Sequence, residues 1–472
     1  MSNEIKKYTH LLKNTAVFGV GTFGSKVLQF LIVPLYTYIL TTEEYGKIDV
    51  FATTISLALP FVTLLVQEAI IRFLTTKEIS DKEAVNSGMI VFFTSIILGA
   101  LITPLYAFVF EKEYAMLFFI CLILNSFVAI FQNYLKACGK VLDFTFCGLI
   151  NTFSFLITNV LMLAVFKLGI MGYLYSMIIS QIFSGIYILV RGEIICKISL
   201  TKNDFSVIKS MLVFSVPLIP NNLMWWIMNA GDKYIINYFL GDSYNGLYSI
   251  SIKLATIVTT VFSIFMQAWQ LSAIEENGSK EQARFYSKVY SNMMALLLGS
   301  AATILMFNRP IFCSFIGKNF FDAHLYSPLL CVATVISCMS TFFGVTYLVS
   351  KSTSKAFTTT VVGATINIIV NFLLIRPLGL TGVALGTIIG YAVVMLIRIR
   401  DTAEHISMNF DAIRTTIGLM LVFGGSIIYM FIPNSFSVIL GFACVCIIAI
   451  VYHHEIRNIL RIINDRLKNR KK

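Results

Sequence analysis

Predominantly apolar stretches of about eighteen residues or more recur from one end of this chain to the other, each long enough to cross a bilayer core of about 30 Å. Inside lipid every backbone N–H and C=O must find an internal partner, so a spanning chain folds as helices or as a closed barrel. A barrel would be written in alternating segments of about ten residues, and the runs here are continuous. The expected fold is therefore an all-α polytopic membrane protein. Charge agrees: 13% of the 472 residues are Asp, Glu, Lys or Arg, against about 25% in soluble domains.

Hydropathy windows of about 19 residues give about fourteen transmembrane helices. The first seven spans are Asn14–Leu40, Ile48–Phe73, Val85–Phe110, Tyr114–Lys136, Phe144–Phe166, Ile170–Val190 and Val207–Leu240. The rest are Tyr244–Leu271, Val289–Phe307, Leu325–Ser350, Phe357–Ile375, Thr381–Ile399, Ile413–Ile432 and Phe436–Tyr452. With the N-terminus in the cytoplasm, about 27 of the 36 basic residues fall on the inner side, in segments such as RFLTTKEISDK, KACGK and RIRDTAEH. Both termini are then cytoplasmic, in a cell inner membrane. The net charge of +12 follows from this topology and does not argue for nucleic acid. The basic tail RIINDRLKNRKK suits anionic lipid. The polar start MSNEIKKYTHLLKN precedes a run too long for a cleaved signal, so the first span is expected to stay as an anchor. The nine cysteines are scattered, mostly within apolar runs, without metal-ligand spacing, and His453–His454 belongs to a basic interfacial cuff. No metal site and no cofactor are expected.

The chain repeats itself. EEYGKIDVFATT, from Glu43, matches SYNGLYSISIKLA, from Ser243, with Gly46 over Gly246 at an offset of 200. At that offset Gln67 meets Gln267, and LGIMGYLYSMIIS, from Leu168, matches LGLTGVALGTIIG, from Leu378, at an offset of 210. These matches predict a six-helix bundle over 1–195, a second of the same orientation over 196–410, and two added helices with a basic tail over 411–472. Duplicated bundles that rock about a site at their interface are a common transporter plan. Gly169/Gly172 and Gly379/Gly382 mark tight turns, where glycine serves backbone geometry.

DKYIINYFLGDSYNGLYSISIKLA resembles the signature region of bacterial oligosaccharide flippases, the polysaccharide-biosynthesis branch of the multidrug/oligosaccharidyl-lipid/polysaccharide exporter superfamily. NTAVFGVGTFGSKVLQFLIVPLYTYILTTEEYGKIDV is similar to the family's first helix and following turn, and VQEAIIRF and FMQAWQLSAIEE to its second- and eighth-helix ends. The resemblance covers essentially the whole chain. It implies twelve to fourteen helices in two V-shaped lobes and alternating access. The implied cargo is an undecaprenyl-pyrophosphate-linked oligosaccharide repeat unit carried to the outer leaflet for capsule, O-antigen or another surface glycan. The partners expected are that lipid-linked substrate and the polymerase and glycosyltransferases of glycan assembly. Because a membrane potential acts on moved charge, ion exchange is a candidate drive, with Asp232 as the candidate partner of a proton or sodium ion.

Charges inside apolar spans are the candidate site residues. Asp232 and Lys233 lie roughly eight residues, about 12 Å, from the end of the seventh span, and Lys253 lies at similar depth in the eighth. A charge at the middle of a span costs about 2.5–3.5 kcal/mol, so these groups should face a partner or a watery cavity. Two readings stand together: Asp232 pairs with Lys253 across the hairpin, or the bases line a lumen for phosphate while Asp232 balances them. Lys26, with Gln29 nearby, is the deepest base and suits phosphate as a point charge. The related lipid II flippases use bases on helices 1, 2 and 8; Lys26 and Lys253 match two of these, while helix 2 has no base before Arg72. Glu68 and Arg72 share one helix face as a gate or a plain ion pair. Asn221, Asn222, Trp225 and Trp226 offer amides and ring faces to sugar, with Pro217 and Pro220 bending the helix there.

An integral-membrane polymerase or glycosyltransferase would need a large loop with paired carboxylates, and an ATPase a phosphate-cradling glycine loop; neither is written here. A cation- or drug-exporting antiporter of the same superfamily is the main alternative. Its cationic cargo would favour carboxylates over the bases found in these spans.

Overall fold

The computed structural model describes residues 24–457 apart from 25, 199–203, 277, 279–280, 351, 407, 409–410 and 433–435. The first half of the first span lies outside the described residues. The helices are α1 (Lys26–Ile39), α2 (Thr42–Thr63, resuming as Val66–Thr75), α3 (Asp81–Val109), α4 (Lys112–Ala137), α5 (Val141–Val165), α6 (Gly169–Arg191) and α7 (Phe205–Leu240). They continue as α8 (Asp242–Glu275), α9 (Gln282–Phe315) and α10 (Ala323–Val349). Thr353–His405 is two helices, α11 and α12, that break at Gly379; α13 (Ala412–Phe431) and α14 (Ser437–Val451) follow. Apart from the single turn Ile194–Lys197, these fourteen helices among the described residues match the hydropathy count.

Local chemistry explains the ends. Thr41 and Ser80 open α2 and α3 with reciprocal caps to Glu44 and Glu83, each cap contributing about 1 kcal/mol. Pro217 switches α7 to a 3-10 turn over Val216–Leu218, as expected of a residue without an N–H. The repeat is visible in the backbone: α2 begins at residue 42 and α8 at 242. Gly169 and Gly379, offset by 210, both turn in the left-handed region, at φ 54° and 57°.

One expected span is interrupted. Instead of a continuous helix over 48–73, α2 breaks where Leu64 and Leu65 take φ 50° and 51°, a backbone state that L side chains rarely adopt. Pro60, one turn earlier, already removes a ladder donor. Val62 and Leu65 are 0% and 3% exposed, so packing on either side holds the break. Separate clusters flank it: Phe51, Ile55 and Val62 with the stacked rings of Tyr106 and Phe118, and Val66, Ile70 and Leu74 with Ile130 and Phe131.

Two compact units divide the chain between Trp226 and Ile227, within α7. In the first, α5 packs on α6; in the second, α10 packs on α8 and on the α11/α12 pair.

Candidate functional site

The polar centre of the second unit begins with a helix seam. Gly382, Gly386 and Gly390 recur every fourth residue along one face of α12, the spacing that lets helix backbones approach closely in a membrane. They leave no room for a side chain: a Cβ on Gly386 would fall on Asn371 Oδ1, and one on Gly382 on the Leu374 carbonyl. The seam therefore sets α11 tightly against α12 and brings Asn371 and Thr387 together.

Both meet Asp232 of α7, which is 4% exposed. Its carboxylate accepts from the Asn371 amide at 2.7 Å, the Thr387 hydroxyl at 2.6 Å and the Tyr248 hydroxyl of α8 at 2.9 Å. Four helices thus converge on one carboxylate. Hydrogen bonds to a charged acceptor each contribute about 1.5–3 kcal/mol, which is what makes burial of this acid tolerable. Beside it Asn371 Oδ1 and Asn367 Nδ2 are buried without partners, so the cluster carries spare polar capacity. One turn away the Tyr391 hydroxyl reaches the Met228 carbonyl at 3.1 Å and Asn229 Oδ1 at 3.0 Å. A cavity of about 250 Å³ opens against Asn229, Asp232, Tyr248 and Tyr391, with Thr256, Thr334 and Ser337 along its walls.

This corrects one expectation. Asp232 forms no ion pair with Lys253; hydroxyls and an amide satisfy it instead. The reason is helical phase. Tyr248 is the α8 residue that faces Asp232, and Lys253, five residues on at about 100° each, leaves α8 about 140° away. Lys233 and Lys253 are both half-buried. The Glu68–Arg72 pair is also absent: both side chains are exposed, and the Arg72 guanidinium lies over the Phe214 ring at 4.3 Å.

Lys26 and Gln29 are exposed on α1. Asn221 and Asn222 are exposed and Trp225 half-buried on α7, while Trp226 donates its indole N–H to Ser56 at 2.9 Å. Gln267 lies in α8 with its side chain outside the described residues. Sequence reasoning missed Tyr248, Asn367, Asn371, Thr387 and Tyr391. The signal was present as an i, i+4 asparagine pair in an apolar run, facing the every-fourth-residue glycines. It also missed Arg398, which RIRDTAEH placed at an inner loop. Arg398 is 2% exposed in α12, and its guanidinium donates to the Ser340 carbonyl, Thr359 and Thr360 at 3.0–3.2 Å.

Comparison with known proteins gives the family and the fold. The family described as polysaccharide biosynthesis protein matches residues 11–270. A probable low-salt glycan biosynthesis flippase of Haloferax volcanii, Agl15, is 23% identical over 217 residues, 45% of this chain and 46% of that protein. The chain thus spans about half the length of that relative. Among solved structures, the lipid II flippase MurJ in an inward closed conformation shares the fold at TM-score 0.68 and 15% identity, over 93% of this chain and all of the other. An inward-facing multidrug resistance transporter of the MATE family has TM-score 0.64 and 16% identity, over 82% and 98%.

Proposed function

The chain belongs to the polysaccharide biosynthesis protein family, and from that membership we propose that it is a flippase. Its cargo is an undecaprenyl-pyrophosphate-linked oligosaccharide, moved from the cytoplasmic to the outer leaflet of the inner membrane for capsule, O-antigen or another surface glycan. The observation that carries the reading is the family match over residues 11–270, because that stretch includes Lys26, Lys233 and Lys253. Three ammonium groups within predominantly apolar spans suit a diphosphate better than a cationic cargo. In this reading the protein performs no covalent chemistry, both termini are cytoplasmic, and two bundles, 1–195 and 196–410, alternate in access.

Energy enters through Asp232. A buried carboxylate of α7 that already collects donors from three other helices, beside the unpartnered Asn371 Oδ1, is suited to take up a proton or a sodium ion. Charge moved across the membrane is worth about 2.3 kcal/mol per 100 mV. The same carboxylate supports the second reading, a cation-coupled exporter whose cargo is a drug, multidrug resistance being what the MATE-family neighbour is titled for.

Deletion of the gene separates the two. Lipid-linked repeat units are expected to accumulate on the cytoplasmic side, and Lys26→Ala or Lys253→Ala is expected to restore insertion without restoring export. Full complementation by both variants would remove the cationic contact with the diphosphate. Normal export in the deletion strain would remove the flippase reading itself.

A further inference from the structure

In α8, Lys253, Thr256, Thr260, Ser263 and Gln270 follow one another at steps of three, four, three and seven residues, which makes one stripe on a helix. Thr256, Ser263 and Gln270 are exposed, and Lys253 and Thr260 half-buried. On the other side Leu254, Val258, Phe262, Met266, Trp269 and Ala273 form a regular stripe that is buried. A lipid-facing stripe in this protein looks different: on α3, Phe93, Ile97, Leu101, Leu105 and Phe108 are each more than half exposed. Against that standard the polar face of α8 belongs to water and solute rather than to acyl chains.

The hydroxyls on this face are in a particular state. Thr256 donates to the Lys253 carbonyl at 2.7 Å, Thr260 to the Thr256 carbonyl at 2.7 Å, and Ser263 to the Thr260 carbonyl at 2.8 Å. Each proton is spent on the helix's own backbone, so what each oxygen still offers is a lone pair. The stripe is a line of acceptors. It borders open polar space as well, because Thr256 and Thr259 line the cavity beside Asp232.

We propose that the polar face of α8 is a track for the glycan portion of the cargo, accepting hydrogen bonds from sugar hydroxyls, with Lys253 heading the track beside the diphosphate. This rests on the flippase reading and adds the group recognised. Geometry favours a glycan over the other solutes. Lys253, Thr256, Thr260 and Ser263 succeed one another about 5 Å apart along the axis, close to the length of one sugar ring in an extended chain. A metal ion needs acceptors that converge on a point, and these are strung in a line. A polyprenyl tail would need an apolar face.

The test uses the triple variant Thr256→Val/Thr260→Val/Ser263→Ala, which removes the acceptors and keeps the helix shape. Binding to the purified full chain is measured for two probes. One is the lipid-linked oligosaccharide extracted from the gene-deleted strain; the other is undecaprenyl pyrophosphate without sugar. The glycan-bearing lipid is expected to bind about ten- to a hundredfold more weakly to the variant, and the sugar-free lipid unchanged. Ile257→Ala, on an exposed apolar neighbour, should alter neither. If the triple variant does not fold, Thr260→Val alone is expected to give about a threefold loss confined to the glycan-bearing lipid. Equal losses for both probes, or no loss for either, would overturn the track. A wild-type protein that binds neither probe would overturn the flippase reading, and the track with it.

Discussion

Gly386→Ala tests how the Asp232 cluster is assembled. The added Cβ falls on Asn371 Oδ1 and within 2.9 Å of Asn371 Cγ. The cheaper relief is for Asn371 to swing away, which gives up its 2.7 Å bond to the buried carboxylate, about 1.5–3 kcal/mol. Replacing a helical glycine by alanine returns about 1 kcal/mol. The net is a destabilisation of about 0.5–2 kcal/mol by subtraction. Gly382→Ala should cost more, because its Cβ meets the Leu374 carbonyl carbon and oxygen, and backbone cannot swing aside. Gly424→Ala on α13 meets nothing within 4 Å and should stabilise by about 0.5–1 kcal/mol. Thermal unfolding in detergent micelles ranks the three, and Asn371→Ala supplies the decisive background. With Asn371 truncated there is no amide to strike and no bond to lose, and only the Asn371 backbone N, 3.2 Å from the added Cβ, still presses, so Gly386→Ala should be milder than in the wild type by about 1.5–3 kcal/mol. An equal cost in both backgrounds, or a neutral Gly386→Ala in the wild type, would refute the seam as the device that positions Asn371.

Arg398→Lys keeps the charge and loses the fork that reaches Ser340, Thr359 and Thr360; a loss of about 1.5–3 kcal/mol in unfolding free energy is expected for each bond given up, and an unchanged unfolding temperature would contradict it. Asp232→Asn retains an acceptor for part of the cluster, so the protein should insert and unfold cooperatively. Transport in proteoliposomes should nevertheless lose its response to an imposed sodium or proton gradient, and a retained response would remove Asp232 as the coupling group.

The spans, their number and the repeat were legible because each rests on local properties: apolar length, and turn glycines at matching offsets. Asp232 was legible as a charge out of place. Its partners were not, because Tyr248, Asn371 and Thr387 lie 16, 139 and 155 residues away in sequence. An opposite charge in the adjoining helix, Lys253, was the nearest visible partner, and helical phase rather than charge decided against it. The break at Leu64–Leu65 had no local signal beyond Pro60. Leucine is an unfavourable residue for a left-handed backbone, so only packing on both sides of the break explains it.

The two halves share a scaffold but not the polar centre. In α6, Gly172, Ser176, Ser180 and Ser184 form a buried small-residue stripe, and Gly172 sits against Met162 of α5 as Gly382 sits against Leu374 of α11. The helix-packing device is therefore present twice. Subtracting the offsets of 200 and 210 from Asp232, Tyr248, Asn371 and Thr387 gives Ile32, Ile48, Leu161 and Met177, all apolar. A carboxylate in the first half would have to be buried without the hydroxyl and amide donors that stabilise Asp232, and a buried ion without such donors is costly. In the proposed mechanism the coupling ion then acts on one half alone. Protonating or loading Asp232 would alter the bonds joining α7, α8, α11 and α12 while leaving the apolar counterpart in the first half unaffected. An asymmetric switch of this kind gives a duplicated scaffold a direction, because only one of its two halves answers to the ion.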